Sequence, residues 1–399
     1  MSKVTRLVGK QYEQLNEQTA IQLARDFQLM SDHGELTCSE IGDGNLNYVF
    51  RIIDTETNKS LIIKQALPYA KVIGESWPLT LKRAEIEANA LKKHGEYVPN
   101  LVPKVLGIDK ELATTIMDDL SHLTVAREGL VNGENYPKLA QDIGEYLART
   151  LFFTSDIGLE PIEKKKLVKA FSNPELCKIT EDFVFTYPFF DSETNNIEPQ
   201  MQLKVETIWG NAELKLEVAK LKRSFLTEAE ALLHGDLHTG SIFASQEETK
   251  VFDPEFAFYG PIGFDIGQFI ANLIMQAISR EGSQKDVIVK QIEQTWHVFT
   301  STFSELWKKD AIDPYADVEG YREHVLTKIF EDTLGFAGCE LIRRTIGLAL
   351  VKDLESIEDT EKRIRTKELS LEIGEVLILK RFELNSITAV TSLLGDNGK

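Results

Sequence analysis

The segment Leu232–Ser241 reads Leu-Leu-His-Gly-Asp-Leu-His-Thr-Gly-Ser and places one acidic residue, Asp236, among apolar neighbours. A second segment, Val251–Glu255, reads Val-Phe-Asp-Pro-Glu and ends a short apolar run with two carboxylates. In such a pair of motifs, one carboxylate can orient a hydroxyl and accept its proton, while the other group holds Mg²⁺ against the phosphates of a nucleotide. The two segments therefore indicate phosphoryl transfer and leave the acceptor open.

Leucines flank Asp236, so we expect its carboxylate to be poorly solvated and to need partners that keep it charged. His234 and His238 have the spacing of a helical metal-ligand pair. No glutamate follows His234, however, and Gly235 opposes a regular helix here. Histidines that hydrogen-bond the loop backbone are therefore favoured over a metal site. Ser241 carries a hydroxyl that can approach a metal or a phosphate.

The acidic pair, Asp253 and Glu255, is separated by Pro254. In an extended segment, residues i and i+2 face the same side, so both carboxylates can converge on one Mg²⁺. An acidic turn with proline at its second position is the structural alternative. Further along, Asp265 lies between glycines at a predicted helix start, where it can cap the helix or brace the Asp236 loop. Both of these are structural roles.

Upstream, Gly42–Asn47 forms a glycine-containing loop between two extended segments. Glycine at positions 42 and 44 lets the backbone approach a phosphate that side chains would otherwise block. A plain hairpin turn is the alternative. A dinucleotide-binding fingerprint is disfavoured, because that motif opens a helix and here a strand follows.

Lys64 ends an apolar strand, so its stem can lie along the core while its ammonium group reaches a cleft. A solvent-exposed lysine is the alternative, and a partner would distinguish the two. Glu85 and Glu87 lie on the next predicted helix, and either can pair with Lys64 and fix it on nucleotide phosphates. Glu87 is favoured because it opens the apolar part of that helix.

Two further segments are candidates for ligand contacts. Asp118, Asp119 and Leu120 follow a strand at the predicted junction of two lobes, where backbone groups can hydrogen-bond an adenine edge; a polar turn is the alternative. Arg343 and Arg344 interrupt an apolar helix, which suggests that they face a cleft or a carboxylate. Neighbours on a helix point about 100° apart, so we expect at most one of them to aim into a site.

The alternative for this arginine pair is an internal salt bridge, to Glu340 or Asp353.

The elements that must position these residues differ along the chain. The N-terminal part predicts a helix within the first 30 residues, an antiparallel hairpin of strands at 48–53 and 60–65, a helix at 81–93, and strands at 102–108 and 113–117. Long helices are predicted at 204–232, 287–307, 323–336 and 369–385. We therefore predict an α+β fold of two lobes, with a β-rich nucleotide-binding lobe at 1–119 and a mainly helical lobe at 120–399.

The composition narrows the class of protein. Of the 399 residues, 42% are hydrophobic and 27% are charged, and the formal net charge is -18. That charge disfavours a nucleic-acid surface, which needs basic patches. The three cysteines are scattered, which is typical of reduced thiols. No segment reaches the ~18 continuous apolar residues of a membrane span, and no secretory signal is evident, so we expect a cytoplasmic protein without a membrane partner.

The order of these motifs resembles the protein-kinase-like small-molecule kinases, a family that includes choline and aminoglycoside kinases. Within it, Leu233–Ile242, Phe252–Ala257 and Phe258–Asp265 are similar to motifs of the 5-methylthioribose kinases. The resemblance implies phosphorylation of the 1-hydroxyl of 5-methylthioribose, with ATP and Mg²⁺, as a step of methionine salvage. It also implies a bilobal protein-kinase-like fold and a homodimer.

The resemblance implies a role for each matching residue. Asp236 would be the base that orients the sugar hydroxyl, and Asp253-Pro254-Glu255 would bind Mg²⁺-ATP. Lys64 and Asn47 would hold the phosphates. The segment Asp118–Leu120 would contact the adenine.

Arg344, with Arg343, would lie near the sugar or the transferred phosphoryl group. Two departures from the protein-kinase pattern favour the methylthioribose kinase subfamily over a protein substrate. Asn47 stands at the position of the third glycine, and Ser241 stands where protein kinases have a metal-binding asparagine.

Two alternatives stay open at this point. The first is another hydroxyl kinase of the same superfamily, such as an aminoglycoside, choline or homoserine kinase, although the two arginines disfavour a polycationic acceptor. The second is a nucleotide-binding regulator without catalysis. Such proteins usually lack the lysine, the base or the metal-binding acid, and this chain has all three.

Overall fold

The computed structural model of the chain describes residues 12–41, 46–70 and 74–395, except for the side chains of residues 70 and 74–78. The predicted glycine loop at 42–45 lies outside the described residues, as do the first residues of the predicted N-terminal helix. The chain divides into two compact units, Met1–His122 and Leu123–Lys399. The sequence analysis placed a boundary after Asp119.

The N-terminal unit contains an antiparallel sheet in the strand order β1-β2-β3-β7-β6 and a separate β4-β5 pair. Its elements are α1 (Glu17–Asp26), β1 (Leu36–Glu40), β2 (Asn47–Asp54), β3 (Ser60–Ala66), β4 (Tyr69–Ala70), β5 (Gly74–Pro78), α2 (Lys82–Tyr97), β6 (Val105–Asp109) and β7 (Thr114–Asp118).

The predicted hairpin is confirmed as β2 and β3, whose register pairs Asn47 with Ala66 and Ile53 with Ser60. The side chain of Asp54 accepts hydrogen bonds from two backbone N–H groups in the connecting turn, at 3.0 and 3.1 Å. Asn58 takes a positive φ of 56° there. An aspartate and an asparagine both suit such a turn, which is why the β-branched runs on either side can pair.

The C-terminal unit is mainly helical, with short strands paired as β11-β10-β8 and β12-β9. Its strands are β8 (Thr124–Val125), β9 (Ala231–Leu232), β10 (Ile242–Ala244), β11 (Thr249–Val251) and β12 (Tyr259–Gly260). Its helices are α3 (Ala126–Val131), α4 (Leu139–Thr154), α5 (Pro161–Ala170), α6 (Pro174–Phe183), α7 (Gln202–Gly210), α8 (Ala212–Thr227), α9 (Gly263–Ile278), α10 (Gly282–Asp310), α11 (Tyr321–Ile346), α12 (Lys352–Glu355), α13 (Thr360–Leu379) and α14 (Ile387–Ser392).

Helix α9 is buried along its whole length and packs against α10, α11 and α13. A Cβ atom on Gly267 would lie 2.7 Å from the backbone oxygen of Thr333 in α11. Only glycine allows the two helices to approach this closely, because any side chain would clash with the neighbouring backbone. The C-terminal unit is therefore built around α9, which also carries Asp265 in its first turn.

The helices predicted at 287–307 and 323–336 lie within the longer helices α10 and α11, and two other predicted helices differ more in their bounds. The helix predicted at 204–232 is two helices, α7 and α8, because the side chain of Asn211 caps the second one by accepting from the Leu214 N–H. The helix predicted at 369–385 begins earlier, at Thr360, and ends at Leu379. Lys367, in the first half of this helix, is buried against the carboxylates of Glu198 and Glu355.

The α+β prediction is confirmed, with the antiparallel sheet in the N-terminal unit and the helices concentrated in the C-terminal unit. All three cysteines are free, as their scattered positions predicted. Among the described residues, no helix combines the length and the apolar character needed to cross a membrane.

Candidate active site

The Asp236 loop connects β9 to β10, and the first turn of α9 holds it through hydrogen bonds. The backbone N–H groups of His234 and Gly235 donate to the two carboxylate oxygens of Asp265, at 2.6 and 3.0 Å. Asp265 is buried, and burial raises the pKa of its carboxyl group above the usual value. The predicted bracing of the loop by Asp265 is confirmed.

His234 connects the two acidic motifs. Its Nε2 lies 2.9 Å from the backbone oxygen of Phe252, and its Nδ1 accepts from the Asp236 N–H at 3.3 Å. These two bonds require the neutral tautomer with the proton on Nε2, because one ring nitrogen donates and the other accepts. The prediction that His234 is structural is confirmed.

Gly235 provides a backbone conformation that other residues rarely adopt. Its φ is +86°, and a Cβ atom would lie 2.2 Å from the backbone oxygen of Phe256. We expect Gly235→Ala to lower the free energy of unfolding by clearly more than the ~1–2 kcal/mol of a left-handed residue, because a clash adds to the strain. Urea denaturation measures this difference.

Gly320→Ala is the matched control, because Gly320 has a φ of +83° but nothing within 4 Å of the added Cβ. Equal losses of stability in the two variants would contradict the predicted clash.

The carboxylate of Asp236 lies among cationic and polar groups. Its Oδ1 is 3.2 Å from Arg343 Nη2 and 3.6 Å from Arg344 Nη2, and its Oδ2 is 3.3 Å from His238 Nε2. Burial by itself would raise the pKa of Asp236, but His238 and the two arginines hold that pKa well below its usual value. The side chain is still 27% exposed. An ionised carboxylate is thus accessible to a ligand.

The two arginines share one buried counter-ion, Glu340. Arg343 Nε lies 2.5 Å from Glu340 Oε2, and Arg344 Nε lies 2.7 Å from Oε1. Burial opposes ionisation of Glu340, but the arginines lower its pKa to about 2.

The expectation that at most one arginine would aim into the site is wrong. Positions i+3 and i+4 both lie on the face of residue i, so Glu340 draws both guanidinium groups towards Asp236. Both arginines therefore form the internal salt bridge and also face the carboxylate of Asp236. Their counter-ion is Glu340 and not Asp353.

His238 is held in its neutral form. Burial lowers its pKa most, Asp236 opposes that effect, and the nearby charge of Arg127 lowers the pKa further, to about 4. The neutral ring can donate from Nε2 to Asp236 while Nδ1 faces the Ser241 hydroxyl at 3.3 Å. That hydroxyl also lies 3.1 Å from the backbone oxygen of Asp236, so Ser241 is engaged within the loop.

This lowered pKa predicts a pH-dependent stability. The unfolded chain protonates His238 near pH 6.5, whereas the folded protein does so only near pH 4. Because the unfolded state binds the proton first, the unfolding free energy should fall from pH 6.5 to 4, by at most about 1.4 kcal/mol per pH unit.

The variant His238→Gln keeps a donor and removes the titration, so it should lose less stability than the wild type between pH 7.5 and 5 in urea denaturation. His297→Gln, at an exposed histidine of α10, is the control. Identical pH profiles for the wild type and His238→Gln would refute the prediction.

The acidic pair lies just after β11. Asp253 takes a φ of +67°, and Glu255 is buried. Each offers a carboxylate oxygen, and these oxygens lie within 4.8 Å of one another. The side chain of Asn173 donates to the backbone oxygens of Glu255 and Ala257, at 2.9 and 3.2 Å, which fixes the segment. The two carboxylates therefore converge, and hard oxygen ligands of this kind suit Mg²⁺.

In the N-terminal unit, Lys64 Nζ lies 2.8 Å from Glu87 Oε1, and both side chains are largely buried. This is the pairing predicted from the sequence, and Glu85 pairs instead with Lys110. A buried lysine held by a glutamate has a fixed ammonium group, which is what phosphate positioning requires.

Asn47 begins β2 and is buried, with Oδ1 3.5 Å from Arg83 Nη2. Arg83 also donates to the backbone oxygens of Leu67 and Thr80, at 2.7 and 3.0 Å. The sequence analysis did not single out this fully buried arginine, because nothing in its local pattern distinguishes it from an exposed helix cation.

The side chains of Asp118 and Asp119 are bound within the N-terminal unit. Asp118 Oδ2 accepts from the Lys104 N–H at 3.0 Å, and Asp119 Oδ2 lies 2.7 Å from Arg51 Nε. Burial would raise the pKa of Asp119, but hydrogen bonds, including those from Ser121 and Arg51, lower it to about 2. We therefore expect any contact of Asp118–Leu120 with an adenine ring to be made by backbone groups.

The sequence analysis also missed polar residues around the Asp236 loop. Gln268, Asn272 and Gln276 recur every four residues in the otherwise apolar helix α9, and all three are buried. That spacing in an apolar run was a usable signal, because buried amides must find hydrogen-bond partners. Arg127 had no comparable signal.

Comparisons with known proteins show the family to which the chain belongs. A model of the phosphotransferase enzyme family matches residues 37–285. Among solved structures, an ethanolamine kinase from Plasmodium vivax covers 90% of this chain and 89% of its own, at 14% identity and a TM-score of 0.48.

Curated relatives are much closer in sequence. A methylthioribose kinase of Geobacillus sp. (strain WCH70) is 58% identical over 96% of this chain and 96% of its own length. One from Bacillus velezensis is 54% identical over 95% of each chain. The chain belongs to the phosphotransferase enzyme family and, within it, to the methylthioribose kinases. The predicted family is confirmed.

Proposed function

We propose that this protein transfers the γ-phosphoryl group of ATP to the 1-hydroxyl of 5-methylthioribose, which gives 5-methylthioribose 1-phosphate. The observation that carries the chemistry is the partly exposed Asp236, which His238, Arg343 and Arg344 keep ionised. The choice of sugar rests on relatives that match nearly the whole chain and are named methylthioribose kinases.

In this proposal, Asp236 is the base. Its carboxylate accepts the proton of the sugar hydroxyl as the hydroxyl oxygen attacks the phosphorus and the bond to ADP breaks. Arg343 and Arg344 contact the sugar or the transferred phosphoryl group. Before the reaction, their two charges are balanced by Glu340 and Asp236. Protonation of Asp236 leaves one positive charge in excess, which favours the anionic product at the moment it forms.

The N-terminal unit is proposed to bind the nucleotide, with Lys64, fixed by Glu87, and Asn47 on its phosphates. Backbone groups of Asp118–Leu120 would contact the adenine. The converging carboxylates of Asp253 and Glu255, joined by Pro254, would hold Mg²⁺. When bound, the metal neutralises charge on the nucleotide phosphates.

A coupled assay of ADP release tests the function. We expect turnover with methylthioribose and none with choline or an aminoglycoside, together with a phosphorylated sugar that is detectable by mass spectrometry. Turnover only with choline or an aminoglycoside would establish another hydroxyl kinase instead. A thermal shift with ATP, without transfer to any of these acceptors, would favour a nucleotide-binding regulator.

Removal of the metal is expected to abolish turnover. Treatment with EDTA should stop ADP release with methylthioribose, and added Mg²⁺ should restore it, because the carboxylates of Asp253 and Glu255 are the proposed ligands. Asp253→Asn should require more Mg²⁺ for half-maximal rate. An Mg²⁺ titration that is unchanged in this variant would exclude Asp253 as a ligand.

We further propose that the enzyme is a cytoplasmic homodimer that acts in methionine salvage. The resemblance to the methylthioribose kinases supports the dimer and the pathway, and the three free thiols are compatible with the compartment. Light scattering on the purified protein tests the dimer directly.

A further inference from the structure

Arg127, on the short helix α3, lies beneath the Asp236 loop. Its Nη2 donates to Asn272 Oδ1 at 2.7 Å, and its Nε lies 3.2 Å from the buried carboxylate of Asp353. A Cβ atom on Gly240 would be 3.0 Å from Arg127 Nη1 and 2.9 Å from the ring of His238. The guanidinium group therefore packs directly against the turn that follows His238.

The amides of α9 connect this guanidinium group to the proposed base. Asn272 Nδ2 donates to the backbone oxygen of Gln268 at 2.9 Å, and the Thr239 hydroxyl lies 3.4 Å from Asn272 Oδ1. Gln268 Oε1 accepts from the Leu237 N–H at 3.0 Å, while its Nε2 reaches Asp236 Oδ1 at 3.5 Å. Side chains of α9 therefore contact the Asp236 carboxylate and the residues that follow it in the loop.

Asp353 in turn holds Arg127. The second carboxylate oxygen of Asp353 accepts from Gln276 Nε2 at 2.6 Å, so the acid is fixed by α9 as well. A buried arginine needs such a counter-ion, because an uncompensated charge in the interior is costly. Arg127, Asp353, Asn272 and Gln276 form one connected polar group behind the loop.

We propose that Arg127 is a positioning residue that fixes the orientation of the Asp236 carboxylate through Asn272 and the Gly240 turn, and that Asp353 holds Arg127 in place. The inference rests on the proposed role of Asp236 as base. Arg127 does not act on the substrate itself. Its loss should lower the rate of the chemical step and leave substrate binding nearly unchanged, because a small displacement of the base weakens catalysis strongly.

The test is a comparison of steady-state constants with ATP and methylthioribose. Arg127→Gln is expected to lower kcat by about a hundredfold, with both KM values within about threefold of the wild type. Arg127→Lys keeps the charge and should recover part of kcat. Asn272→Ser leaves Arg127 and Asp353 in place and cuts the link to the loop, so it should also lower kcat.

Arg381→Gln is the matched control, because Arg381 is also largely buried, with 4% of its side chain exposed against 15% for Arg127, but bonds to Glu217 and to the backbone oxygen of Ile378. It is expected to lose stability and to keep kcat. The inference would be overturned if Arg127→Gln kept a kcat within about threefold of the wild type. If Arg127→Gln does not fold, the same criterion applies to Asn272→Ser. Equal losses of kcat in Arg127→Gln and Arg381→Gln would also overturn the inference.

Asp236→Asn, measured in parallel, separates the two levels of the proposal. If Asp236→Asn is inactive and Arg127→Gln is normal, only the role of Arg127 fails. If Asp236→Asn keeps the wild-type kcat, the assignment of the base fails, and the positioning role fails with it.

Discussion

Asp236→Asn is expected to lower kcat by roughly 10²–10⁴-fold, the usual contribution of a general base. The amide has nearly the shape of the carboxylate but cannot accept the proton of the sugar hydroxyl. It also removes the negative charge that faces Arg343 and Arg344. Steady-state kinetics with methylthioribose and ATP measure this loss.

ATP binding should persist in this variant, since the proposed nucleotide contacts lie on other residues, and isothermal titration calorimetry with Mg²⁺-ATP checks it. Asp182→Asn is a suitable control, because Asp182 is similarly exposed, at 21%, and pairs with Lys178 on α6. It should keep kcat. A near-normal rate for Asp236→Asn would exclude Asp236 as the base.

Glu340→Gln is expected to cause the largest loss of stability, about 3–5 kcal/mol of unfolding free energy. Glu340 is fully buried and is bonded by both arginines. The neutral amide would leave two guanidinium groups facing only Asp236, and such uncompensated charge destabilises the folded state. Urea denaturation at neutral pH gives the value.

Two further variants test this cause. Glu217→Gln also removes an acid that pairs with two cations, Lys220 and Arg381, but its side chain is 14% exposed, so its loss should be smaller. The double variant Glu340→Gln/Arg344→Gln should recover part of the stability, since it removes one excess charge. No recovery would mean that the loss in Glu340→Gln has another origin.

The sequence predicted correctly which of the site side chains lie close together where the residues are near one another in the chain. Lys64 and Glu87 are only 23 residues apart, on β3 and on the next helix along the chain, so one strand and one helix were enough to predict their pairing. Asp253 and Glu255 converge as predicted, but the expected extended segment is wrong, because Asp253 takes a positive φ and a turn follows at Pro254. The assigned roles of these residues remain predictions until the variants are measured.

Sequence reasoning failed where long-range packing decided the outcome. The polar residues of α9 were overlooked because amides in an apolar run have no local partner. Arg127 and Asp353 are more than two hundred residues apart, and their pairing depends on the packing of α3 against α12.

By itself, the sequence determined the α+β class, the family, and the acidic motifs that indicate phosphoryl transfer, since these depend on periodicity and on residues close together in the chain. Only the tertiary structure decided how the carboxylate of Asp236 is kept ionised. That depends on Arg343 and Arg344, brought together by the buried Glu340, and on His238, whose surroundings keep it neutral. Distances and burial set electrostatic energies, and neither can be read from the order of residues.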